Sequence, residues 1–164
     1  METVNVSEYK GLALESGILR MEDAIKNGIP NKTGYNSRNA DSEGLSVLAE
    51  IGAAAWLGVD PSTLVLFEAR NNGVLQKAKN PDVGNIEVRR GTGDVRVYGK
   101  DYWTNAAVLQ VDVELIDGFV TGNVHILGWA DARKDWGQHV PRRRTELKRL
   151  AARPLNTLNV GEWL

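Results

Sequence analysis

Apolar and acidic side chains alternate through Val111, Asp112, Val113, Glu114 and Leu115, and a second extended run follows from Phe119 to Trp129 after Ile116-Asp117-Gly118. Side chains on a strand point alternately to its two faces, so the pattern predicts an antiparallel hairpin of Ala106–Leu115 with Phe119–Trp129. Such a hairpin cannot bury an apolar face alone and needs further strands or a helix layer. The chain supplies both upstream. Asn85–Arg90 and Asp94–Tyr98 read as a second hairpin around Gly91-Thr92-Gly93. Residues 7–27 read as a helix, with Leu12, Ile18, Met21 and Ile25 at roughly helical spacing and Gly28-Ile29-Pro30 as its stop. A second helix starts at Asp41 or Ser42 as N-cap and ends at Gly58. Residues 31–41 and 73–80 read as loops. Helices first, strands next and an irregular or helical end predict a mixed α/β (α+β) fold, a sheet of about four strands flanked by helices.

At 164 residues the chain suits one domain. It divides into an N-terminal helix and loop (1–41), a central part (42–136) and a C-terminal segment (137–164). Cysteine is absent and only His125 and His139 represent histidine, which excludes disulfides, a thiol nucleophile and multi-histidine metal sites. A bound metal would rely on carboxylate, carbonyl and water oxygens, the donors that suit magnesium, manganese or calcium. The start of the chain carries no signal-peptide pattern and no long apolar run follows, so the sequence reads as cytoplasmic, without a membrane partner. Net charge is −1, yet residues 131–164 hold eight bases against four acids. Arg142, Arg143, Arg144 and Lys148 form a local cationic run that suits backbone phosphates, and suits a solvated face about as well.

The chemistry-bearing stretch is Pro81-Asp82-Val83-Gly84-Asn85-Ile86-Glu87-Val88-Arg89. Ile86 and Val88 share one strand face, Glu87 and Arg89 the other. Two acids and a guanidinium at a strand edge are what metal-assisted phosphodiester cleavage requires, and a solvated strand face has the same composition. Asp82 and Glu87 are the candidate metal ligands, with the Val88 carbonyl as a neutral oxygen. Asp82 stands five residues before Glu87, which on a straight strand would set it on the opposite face, so a sharp bend is expected at Gly84. Glu50 interrupts an otherwise apolar helix stripe with Val47, Ala54 and Leu57. It is a further candidate ligand or water-positioning carboxylate, or else lies at a solvated seam. Lys100, after the second strand, is a lesser candidate for a cation in the same place. Trp103 falls in a polar stretch where stacking on a base is conceivable.

Pro81-Asp82 followed by Glu87-Val88-Arg89, behind a Glu50-bearing helix and ahead of a strand ending in Gly128-Trp129, resembles the PD-(D/E)XK, or restriction-endonuclease-like, nuclease superfamily. The theme D-V-G-x-x-E-V-R is similar to small phage-type members, and the resemblance spans roughly residues 42–136. It implies a restriction-endonuclease-like core and a DNA endonuclease dependent on Mg2+ or Mn2+. Asp82 and Glu87 would hold the metal, Glu50 would support it, and Arg89 would stand where lysine is usual. It also implies a host-cytoplasmic enzyme if phage-encoded, of a kind that often works as a homodimer. Arginine binds phosphate well but does not act as a base. The alternative is therefore a weak or inactive module of the same fold that binds nucleic acid or a protein.

Overall fold

The computed structural model describes residues 1–28, 40–67 and 81–164, without the side chains of residues 40 and 41. The loop expected at 31–41 falls almost wholly outside the described residues, and that expected at 73–80 lies entirely outside them. In chain order the elements are β1 (Glu2–Asn5), α1 (Lys10–Lys26), α2 (Ala40–Trp56), β2 (Ile86–Arg90), β3 (Val95–Tyr98), α3 (Gly99–Trp103), β4 (Ala107–Ile116), β5 (Phe119–Asp131), α4 (Ala132–Trp136), β6 (Leu147–Leu150) and α5 (Val160–Trp163). A mixed α/β architecture results, with a four-stranded sheet in the order β1-β5-β4-β2 and a separate β3–β6 ribbon. No helix among the described residues is long and apolar enough to cross a membrane.

The β4–β5 hairpin forms the centre of the sheet in the expected antiparallel register. The expected β2–β3 hairpin does not form. β2 instead pairs parallel with β4, Ile86 opposite Ala107 through Arg90 opposite Val111. A parallel pair needs a crossover, and β3 with α3 provides it. Two observations explain the outcome. The Gly91 N–H continues the ladder to the Val111 carbonyl (2.9 Å), so the chain leaves the sheet without turning back on β2. Val108 and Ala130 also need cover on that face, and the fully buried Val95, Val97 and Trp136 supply it.

The opposite face packs on the helices. Val47, Leu48, Ile51 and Ala54 of α2 meet Ile86, Leu109, Val111, Val124 and Ile126. Gly52 allows the close approach, because a Cβ there would stand 2.6 Å from the Val124 side chain. α1 lies on α2 through small residues, Ala13, Ser16, Gly17 and Ala24, while Leu12 and Ile25 of the expected apolar stripe are exposed. The α2 helix begins at Ala40, ahead of the expected cap. The short β1, which the sequence reading left out, pairs with β5 and is tied to it by Thr3 and Asn5 side chains.

Candidate functional site

Gly84 adopts φ +55°, and Val83 and Ile86 exchange backbone hydrogen bonds of 3.0 and 2.8 Å around it. The chain thus reverses over Gly84-Asn85, a turn that favours glycine at its first central position. Asp82 is brought back alongside β2, where its Oδ2 accepts the Val88 N–H at 2.9 Å. β2 is an edge strand. The Ala107 N–H reaches the Asn85 carbonyl across the parallel pair, so the polar backbone groups of Val88, in the alternate phase, face the open edge where Asp82 sits. The bend expected from strand parity is therefore present, and it sets the Asp82 carboxylate on the Val88 N–H.

Glu87 and Arg89 project toward the layer of β3 and α3, since Glu87 lies opposite Val108 in register and Val108 belongs to that layer's core. Glu87 is buried, and its Oε1 accepts from Arg89 Nη1 at 2.5 Å and from Lys100 Nζ at 3.3 Å. Arg89 reaches Asp101 through Nη2, at 2.9 and 3.1 Å from the two carboxylate oxygens, and stacks 5.0 Å from the Tyr98 ring. Its Nε has no hydrogen-bond partner among the described residues. Asp101 is 1% exposed and also accepts the Tyr98 N–H at 2.8 Å, capping α3. Burial works against the Arg89 charge, but Glu87 and Asp101 outweigh it and hold the guanidinium above its ordinary pKa. Burial raises the Asp101 carboxyl above the usual carboxylate range against the opposing pull of Arg89, with Glu87 adding to the rise.

Arg89 thus bridges β2 and α3, and the more exposed cation beside Glu87 is Lys100. The pairing follows from the crossover: α3 succeeds β3 directly, and its first turn hangs over the Glu87 side of the sheet. The sequence signal was slight, a Lys-Asp pair at the end of a strand, and the anchoring role of Asp101 was missed.

Glu50 comes from the helix layer. It lies on α2, in the layer on the Ile86–Val88 side, and pairs with Arg20 Nη2 of α1 at 2.8 Å. Arg20 Nε in turn donates to the Leu66 carbonyl at 2.5 Å. Among the described residues no group of three or more histidine, aspartate or glutamate side chains stands ready to hold a metal ion.

The basic segment divides in two. Lys148 donates to the Trp136 carbonyl and lies 5.2 Å from the Trp136 ring, and Arg153 pairs with Asp135 at 2.8 Å. Both cations serve the fold. Arg142, Arg143 and Arg144 are exposed on a loop whose backbone is bonded to the start of α3: Gly99 N–H to Glu146 O at 2.8 Å, Lys100 N–H to Arg144 O at 3.1 Å. A Cβ at Gly99 would stand 2.0 Å from the Arg143 carbonyl oxygen, so only glycine admits this contact. The arginine loop and Lys100 are therefore one unit.

Comparison of the chain with protein-family models, with curated proteins and with solved structures returned no match.

Proposed function

We propose that the chain is a divalent-metal-dependent nuclease acting on DNA, on a restriction-endonuclease-like core, with the ammonium of Lys100 in the place where the sequence motif offers only Arg89. The observation that carries this reading is the 3.3 Å approach of Lys100 Nζ to Glu87 Oε1, beside a sheet edge that also presents Asp82.

The donor set suits a hard cation. Asp82 and Glu87 supply carboxylate oxygens, and the Val88 carbonyl shares the open edge with Asp82; these are ligands for Mg2+ or Mn2+. Both cations near Glu87 converge on Oε1 alone. Bound there, such a metal would polarise the phosphoryl oxygens and lower the pKa of water. Glu50, turned to Arg20, belongs to the support of α1 on α2 in this reading. Arg89 fixes the orientation of Glu87. Lys100 has two uses that a guanidinium cannot combine: as an ammonium it stabilises charge developing on the phosphate, and as an amine it accepts a proton at Nζ. Arg142, Arg143 and Arg144 hold flanking backbone phosphates.

The test is cleavage of supercoiled and single-stranded DNA with Mg2+ or Mn2+ by the wild-type chain and by Asp82→Asn, Glu87→Gln and Lys100→Ala. Metal-dependent cleavage that falls about a hundredfold or more in Lys100→Ala supports the reading. No cleavage with either metal overturns it.

One observation favours a second reading. Glu87 already has two cations on one oxygen, so the site is electrostatically satisfied without a metal. A module of this kind would bind DNA and leave it intact, with affinity that falls steeply with salt.

A further inference from the structure

The α3 surface carries more than a cation. Lys100 and Trp103 stand three residues apart on this single helical turn and so share its outer side, while Asp101 is buried beneath. Trp103 is 43% exposed, whereas Trp129 and Trp136 are buried and Trp56 and Trp163 half-buried. Tyr102, beside it, is fixed edge-on against Trp136 at 6.0 Å, so α3 is anchored on its inner side. The Thr104 hydroxyl closes the end of the helix on the Lys100 and Asp101 carbonyls. An indole held out to solvent on an anchored turn is a rigid platform.

Cations flank α3 at both ends. Arg133 is exposed and donates through Nε to the Tyr102 carbonyl at 3.0 Å. The loop of Arg142, Arg143 and Arg144 joins the other end of α3 through the Gly99 and Lys100 N–H groups. Glu146 is the acid in this loop, and its carboxylate is engaged by the Arg142 N–H at 2.7 Å. The chain as a whole has net charge −1, so this concentration of cations is local.

We infer that α3 is a docking surface for an unpaired DNA strand, in which Trp103 stacks on a base while Lys100, Arg133 and the Arg142–Arg144 loop take the adjoining phosphates. An indole face stacks on any unpaired base, whereas a base inside a duplex has both faces covered. Cations without the indole would serve either form; an exposed indole among them selects the single strand. This rests on reading the Glu87 edge as a DNA site, and it assigns that site a substrate form: single-stranded DNA or a locally opened duplex.

The test needs no turnover. The wild-type chain, in chelator and without divalent metal, is titrated with a short oligothymidylate and with a blunt duplex of equal length, by tryptophan fluorescence and by anisotropy of the labelled DNA. Tighter binding of the single strand with quenching is expected. Trp103→Ala should weaken single-strand binding by roughly fivefold or more and leave duplex binding unchanged. Trp103→Phe should lose the quenching and keep most of the affinity, and thermal melts confirm that both variants fold. Equal loss for single strand and duplex, or no loss for either, overturns the inference. A chain that binds through Trp103 but never cuts supports it while overturning hydrolysis. A chain that cuts yet binds the single strand equally well after Trp103→Ala overturns this inference alone.

Discussion

Arg89 of β2 and Asp101 of α3 form a buried ion pair, with one guanidinium nitrogen 2.9 and 3.1 Å from the two carboxylate oxygens. The pair joins β2 to α3 across twelve residues of sequence, and so fixes where Lys100 stands relative to Glu87. Removing one member leaves the other charge buried. Arg89→Ala is expected to destabilise the fold by about 3–5 kcal/mol, because the buried Asp101 then lies near Glu87 without its guanidinium partner. Replacing Arg89 and Asp101 together by apolar residues should cost less than the sum of the two single changes. Urea unfolding of the wild type, both single variants and the double variant measures the coupling; additivity would show that the pair does not act as a unit.

The Asp135–Arg153 pair leads to a pH dependence of definite sign. Burial raises the Asp135 carboxyl, but the Arg153 hydrogen bond, the Asp131 N–H and the neighbouring cations outweigh it, and the net shift is downward from 3.8. A carboxylate whose folded-state pKa lies below its unfolded one contributes stability above the unfolded value, lost as pH falls through the folded one. Wild type should therefore lose stability below about pH 4 in part through this group, and Asp135→Asn should flatten that limb. The effect is about 1 kcal/mol or less, since the pair is partly solvated. Unfolding midpoints from acid to neutral pH provide the check, and an unchanged acid limb in Asp135→Asn would remove the pair from the account.

How far these relationships were legible in the sequence depends on their range. The β4–β5 hairpin was readable because alternation and the intervening Asp117-Gly118 turn are local. The position of Asp82 was readable for the same reason, since Gly84 acts within a few residues. Gly91-Thr92-Gly93 misled, because turn chemistry states that the chain can bend and not which strand it then meets; the need to bury the sheet residues Val108 and Ala130 decided that. The α1 stripe misled because its packing face is built from Ala13, Gly17 and Ala24, which weigh little in a hydropathy pattern yet allow close helix contact. Pairing of Arg20 with Glu50 was not readable, since it depends on how α1 docks on α2, and the place of Lys100 beside Glu87 was signalled only weakly, by a Lys-Asp pair at the end of a strand. Lys148 looks in the sequence like a member of the cationic run, and in the fold its ammonium is held at the Trp136 carbonyl and ring.

Gly99 offers a way to separate the cationic loop from the rest of the site. Its missing side chain lets the Arg143 carbonyl oxygen and Pro141 lie against the start of α3. Gly99→Ala would force the loop backbone away, because the obstructing atom is a carbonyl oxygen and not a flexible side-chain end. The N–H bonds from Gly99 to Glu146 and from Lys100 to Arg144 should be lost with it. The sheet and the α1–α2 layer take no part in this contact. The expected result is a loss of about 1–3 kcal/mol, typical of overpacking at a tight site, with amide exchange accelerated across residues 142–146 and unchanged in β4 and β5. Because the arginines would then stand away from Lys100, DNA binding by Gly99→Ala should also show a shallower dependence on salt than wild type. Unaltered exchange in the loop together with an unaltered salt slope would show that the loop is held by something other than this glycine contact.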